Sequence, residues 1–113
     1  MKKKLLYLAL LVLTMAMLMA ACGKTAGSNT FKVGLEAGYA PFNWTQNDDS
    51  NGGVKIEGSL EFAGGYDVEI AKKIAKGLGK ELVIVKTEWD GLVPALTSGK
   101  IDAIIAGMSP TAE

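Results

Sequence analysis

From Phe31 onward the apolar positions switch between two periods. Phe31-Lys32-Val33-Gly34-Leu35 alternates apolar with small or polar residues, which predicts a first strand. Val68, Ala71, Ala75 and Leu78 then recur at helical spacing, with Ile70 and Ile74 widening the stripe, and predict a helix over Tyr66 to Leu78. Glu69, Lys72, Lys73 and Lys76 fall on its other side, where Glu69 and Lys73 are spaced to pair. Asp67 stands at the positive helix start as a cap, and Gly77 and Gly79 weaken and end the helix. The β-branched run Glu81 to Lys86 predicts a second strand. Trp89 to Gly99 predicts a second helix, capped by Asp90, tolerant of Pro94 near its first turn and stopped by Gly99. After a turn anchored by Asp102, Ile101 to Ala106 reads as a third strand.

The segment between the first strand and first helix obeys neither period. Glu36 to Trp44 is an aromatic-rich loop fixed by Gly38 and Pro41. A polar stretch, Thr45 to Gly53, then connects two short strands predicted near Phe42 to Thr45 and Val54 to Glu57. Asn51-Gly52 is a hairpin signal between them, so a small surface excursion is expected.

The order β-α-β-α-β calls for a parallel sheet with helices on both faces. Right-handed crossovers allow the strand order 2-1-3, in which the first and third strands are neighbours whose connections leave in opposite directions. Their carboxyl ends flank a crevice where open α/β sheets bind small ligands. Two loops distant in sequence, Glu36 to Trp44 and Ala106 to Thr111, are expected to converge there.

The chain before Phe31 has another character. A basic start, Lys2-Lys3-Lys4, precedes a nearly unbroken apolar run from Leu5 to Leu18, then Ala20, Ala21 and Cys22. This is the form of a secretory signal, and residues 1–21 are assigned to it. The run is slightly short for a membrane span of about 20 apolar residues, and no stop-transfer charges follow. The chain's one cysteine sits beside the small, polar stretch Gly23 to Thr30, so a buried role is not expected for it. Residues 22–30 read as a tether and 31–113 as an incomplete first lobe of a binding domain. Beyond the signal, nine Lys face twelve acidic residues and leave a charge of −3, which offers no basic field for nucleic acid.

The catalytic inventory is thin. The chain has no His, which removes imidazole-assisted nucleophiles and imidazole metal ligands, and no dinucleotide or phosphate-loop glycine pattern; neither metal nor cofactor is expected. Binding chemistry is better represented. A free amino acid carries an ammonium and a carboxylate, each costly to desolvate unless paired. Glu36 directly after the first strand offers an acceptor, and Tyr39, Phe42, Trp44 and Trp89 offer aromatic walls. The Gly107 amide and the hydroxyls of Ser109 and Thr111 complete the set. Tyr39 is read as a ligand contact ahead of core packing, Trp89 stands evenly between the two, and Phe42 and Trp44 are read as packing.

Four stretches in order carry a resemblance: Glu36-Ala37-Gly38-Tyr39-Ala40-Pro41-Phe42, Gly65-Tyr66-Asp67, Trp89 to Leu96 and Gly99 to Thr111. Together they resemble the polar amino-acid-binding proteins of bacterial ABC importers, the family 3 extracellular solute-binding proteins. The resemblance implies the first lobe of a type II periplasmic-binding-protein fold, whose two α/β lobes close on an amino acid. It implies that Tyr39 lids the ligand side chain with Trp89 across the cleft, that Glu36 helps select that side chain, and that Ala106, Gly107 and Ser109 touch the ligand α-carboxylate and ammonium. Ala106 replaces a frequent Ser. Met19-Ala20-Ala21-Cys22 likewise resembles a lipobox, implying lipidation at Cys22, anchorage to the outer face of the cell membrane and an ABC permease as partner.

That family's carboxylate-clamping Arg normally follows the position of Glu113, and this sequence contains no Arg. The expectation is therefore a fragment that binds weakly or not at all alone, is marginally stable, and carries an association-prone edge at its third strand. Two other functions share the fold: exported enzymes of the cyclohexadienyl dehydratase or lytic transglycosylase type, and sensor input domains.

Overall fold

The computed structural model describes residues 1–19 and 28–110, with side chains outside 13–19. Helix α1 (Lys2–Met19) exposes Leu5, Leu6, Leu8 and Leu10. Among the described residues, no helix is long and apolar enough to cross a membrane. The predicted cleavage site and Cys22 lie outside the described residues.

The central element is β1 (Thr30–Leu35), every second residue of which is buried until Val33, Gly34 and Leu35 close the run. It pairs in parallel with β6 (Glu81–Lys86) from Thr30↔Glu81 to Leu35↔Lys86, and on its other side with β7 (Ala103–Ile104). The sheet order β6-β1-β7 is the expected 2-1-3. The third strand is shorter than the sequence predicts. Its ladder still reaches further than its two paired residues, because Asp102 donates its N–H to Lys32 O at 2.8 Å and Ile105 donates to Gly34 O at 3.2 Å. The Asp102 carboxylate accepts the Lys32 N–H at 2.8 Å, an anchor for the turn as expected.

Helix α2 (Tyr66–Leu78) lays Val68, Ala71 and Ala75 on one face of the sheet, against a core containing Phe31, Val33, Leu35 and Ile84. Helix α3 (Trp89–Thr97) covers the other face, where Ala95 joins Val85 and Ile101. Full burial of side chains such as Leu35, Ile84 and Leu92 stabilises the fold by about 1.5–3 kcal/mol each. The helix ends depart from the sequence reading. Gly65 and Glu88, not Asp67 and Asp90, occupy the N-cap positions, and neither end carries a side-chain cap bond. Glu69 pairs with Lys72 at 2.7 Å rather than with Lys73.

The excursion is a sheet rather than a simple hairpin. Strands β3 (Asn43–Gln46) and β4 (Val54–Lys55) fall near the predicted positions, but they do not pair with each other. Each pairs instead with β5 (Phe62–Gly64), giving the antiparallel order β2-β3-β5-β4 with β2 (Gly38–Tyr39) at the far edge. Asn51-Gly52 forms part of a single 3-10 turn over Ser50–Gly52, with Asn51 at φ 51, and the strand reversal occurs at Ile56 to Glu61 instead. Three residues including a glycine leave too little periodicity to reveal β5. Ile56, 2% exposed, bridges in parallel to Ile84 and so docks the excursion on the outer edge of β6.

Candidate functional site

Strand β1 delivers Glu36 at the carboxyl edge of the parallel sheet. The chain then reverses sharply: Ala37 adopts φ 56, and β2 runs back antiparallel to β3, with Tyr39 opposite Asn43. Phe42 donates its N–H to Tyr39 O at 2.9 Å, closing a tight turn that contains a cis Ala40–Pro41 bond. The turn brings the Tyr39 and Phe42 rings together, with centroids 5.1 Å apart and planes tilted by 32°.

From the other side of β1, the loop after β7 arrives beneath those rings. Gly107 has φ 66, and a Cβ there would lie 3.0 Å from Tyr39 Cδ1 and Cε1 and 3.2 Å from Phe42 Cγ. Only a residue without a side chain takes this backbone conformation easily and lets two rings rest on it. The two predicted loops therefore meet. Beside the contact opens a cleft of about 330 Å³, lined by Phe42, Tyr66, Asp67 and Ile104 through Ser109.

The other predicted positions sort as follows. Glu36 is half-buried, and its carboxylate makes no hydrogen bond or ion pair among the described residues. Trp89 begins α3 and is 47% exposed; the Thr87 N–H bonds Leu35 O at 2.9 Å, tying this connection to the same sheet edge as Glu36. Ser109 is exposed on the cleft wall, whereas Ala106 is 4% exposed and belongs to the core. Thr111 lies outside the described residues.

Six lining residues, Phe42, Tyr66, Asp67, Ile104, Ile105 and Met108, are not among the site residues that the sequence suggests. Phe42 was assigned to packing, yet it both stacks on Tyr39 and lines the cleft. Tyr66 and Asp67 also line it, from the start of α2. Asp67 is 4% exposed and accepts a 2.8 Å hydrogen bond from Nδ2 of the fully buried Asn43. The signal for these residues was the Gly65-Tyr66-Asp67 motif, which sequence alone placed at a helix start without revealing what the start faces.

Among the described residues, no group of three or more His, Cys, Asp or Glu side chains is arranged to hold a metal ion. Asp48, on the excursion, titrates below the ordinary carboxylate range because Ser50 bonds it through its side chain and its backbone amide. What the cleft offers is the aromatic surface of Phe42 and Tyr66, the Asp67 carboxylate, and a glycine loop with the Ser109 hydroxyl: equipment for holding a small polar molecule.

Comparison with known proteins agrees with this geometry. Residues 31–113 match the bacterial extracellular solute-binding proteins, family 3. The arginine-binding extracellular protein ArtP of Bacillus subtilis is 34% identical over 118 residues, covering 100% of this chain and 40% of that protein. The arginine-bound form of domain 1 from TmArgBP, of T. maritima, is 42% identical, with a TM-score of 0.58 over 74% of this chain and 57% of that one. AncCDT-1, an ancestral amino acid-binding protein described as a precursor of cyclohexadienyl dehydratase, is 38% identical, with a TM-score of 0.57 over 74% of this chain and 32% of that one. The chain thus spans less than half the length of ArtP.

Proposed function

Since this chain belongs to family 3 of the bacterial extracellular solute-binding proteins, we propose that it supplies one wall of a polar amino-acid site in the substrate-binding component of an ABC importer. The observation that carries this reading is the seating of the Tyr39 and Phe42 rings on Gly107, which joins two distant loops at the sheet's carboxyl edge. In it, Tyr39 and Trp89 are aromatic walls for the ligand side chain, and Glu36 is the acceptor that favours a cationic or amide group. The Ala106 and Gly107 backbone, with the hydroxyls of Ser109 and Thr111, meets the α-carboxylate and ammonium. The protein works outside the cytoplasm, held to the membrane by a lipid on Cys22, and hands its ligand to a permease.

Arginine is the first ligand to test, since ArtP is named for it and domain 1 from TmArgBP was crystallised with it. Titration calorimetry of the full-length protein with L-arginine, L-lysine, L-histidine, L-glutamine and L-glutamate should give binding by at least one cationic or amide member. Tyr39→Ala removes the lid ring, and a roughly tenfold or greater rise in Kd is expected from lost aromatic contact. Binding to none of the five, or equal binding by Tyr39→Ala, contradicts the reading.

The likeness to a dehydratase precursor supports a second reading, an exported enzyme on the same fold. Turnover of a cyclohexadienyl acid by the full-length protein would select it, and binding without turnover would select the carrier.

A further inference from the structure

Between Glu36 and Tyr39, the two side chains on which ligand choice rests in the reading above, stands Ala37 at φ 56. A residue with a Cβ enters this left-handed region at a cost, and stays there only when its surroundings hold it. The surroundings here are specific. The Ala37 methyl is 4% exposed and belongs to the main core. Its carbonyl accepts a 2.9 Å hydrogen bond from Thr45 Oγ1 on β3. That same hydroxyl accepts a 3.2 Å bond from Lys86 Nζ at the end of β6. A hydroxyl has one proton to give and lone pairs to receive, so both bonds are satisfied together. The turn at Ala37, the strand eight residues after it and the distant end of β6 are thereby joined at one oxygen.

We infer that Thr45 is a positioning residue for ligand binding: its hydroxyl clamps the left-handed turn at Ala37 that sets the directions of Glu36 and Tyr39, with Lys86 as the outer link. The backbone of Thr45 is fixed independently by its ladder position opposite Ala63. Removing the hydroxyl therefore frees the turn without removing the strand. Thr45 itself lines neither the cleft nor the ring contact. Its effect on affinity passes through Ala37. This inference rests on the binding reading above, and its test separates the two.

The test uses the full-length protein and titration calorimetry with L-arginine. Thr45→Val keeps the shape and loses the hydroxyl, and should raise Kd about tenfold, in line with the loss of one partly buried hydrogen bond. Thr45→Ser restores the hydroxyl and should bind within about twofold of the unmutated chain, a rescue that a merely packing role for the Thr methyl would not give. The three-bond HN–Hα coupling and backbone shifts of Ala37 supply a second readout that needs no ligand. They should report a left-handed φ in the unmutated chain and in Thr45→Ser, and an altered one in Thr45→Val. Unchanged affinity in Thr45→Val, failure of Ser to rescue, or an ordinary negative φ at Ala37 in the unmutated chain overturns the clamp. The last measurement decides even where the Val variant does not fold. Absence of L-arginine binding by the unmutated chain counts against arginine as ligand, while the Ala37 coupling in Thr45→Val still decides the clamp.

Discussion

Asn43 is fully buried, and its amide has opposite fates at its two ends: Nδ2 serves the Asp67 carboxylate, while Oδ1 has no hydrogen-bond partner among the described residues. The orientation follows from charge, since turning the amide over would aim a carbonyl oxygen at a carboxylate. Asn43 therefore accepts an orphan oxygen in order to supply a donor to a nearly buried Asp. Asn43→Ala should destabilise the fold by about 1.5–3 kcal/mol, the range for a lost hydrogen bond to a charged group. The expected sign is a lower urea midpoint with an unchanged m value. Sequence could not assign this pair. Asp67 follows Gly65-Tyr66 at a helix start, where carboxylates usually cap; its burial against Asn43 depends on Gly65 at φ 119, which brings the helix start against the Phe42 backbone. The place of Glu36 at the sheet's carboxyl edge was easier to read, because it follows directly on β1, whose period is clear.

At the scale of elements, β1, α2 and β6 match their predicted positions almost residue for residue. Each repeats one period long enough to be recognised: Val68, Ala71 and Ala75 of the predicted stripe form the buried face of α2, while Ile74 and Leu78, toward its end, are exposed. Gly34 is a subtler case. It takes a small-or-polar place in the alternation of β1, yet it is buried in the central strand, and a Cβ there would run into Ile101 and Leu92. Small size at this point lets α3 and the start of the β7 segment close over the sheet. Gly34→Val should cost about 1–3 kcal/mol by overpacking, read as a drop in the thermal midpoint. The excursion was only partly legible. β5 is three residues long, and its partners were misassigned because Asn51-Gly52 gives a hairpin signal that the sheet does not use.

Over the whole molecule, protection should follow distance from the edges. β1 has a neighbour on each side, whereas among the described residues β7 pairs through β1 alone, and the excursion meets the outer edge of β6 at Ile56 and Glu57. Native-state hydrogen exchange should therefore find the slowest amides at Val33 and Leu35 and far faster exchange at Ser50–Gly52. Equal protection across these segments would contradict a core centred on β1. The half-exposed Lys32–Glu57 pair, at 2.8 Å, adds at most about 1 kcal/mol to the excursion's docking, so apolar burial of Ile56 carries that contact. By itself, the sequence determined the alternation of strands and helices, the 2-1-3 parallel sheet and the edge at which its loops gather. Those follow from periodicity and handedness, which are local properties of a chain. Only the tertiary structure decided what meets at that edge: two rings on Gly107, Asn43 behind Asp67, and Thr45 holding Ala37. Each of these joins residues on different loops or elements, at distances that depend on how those segments pack together.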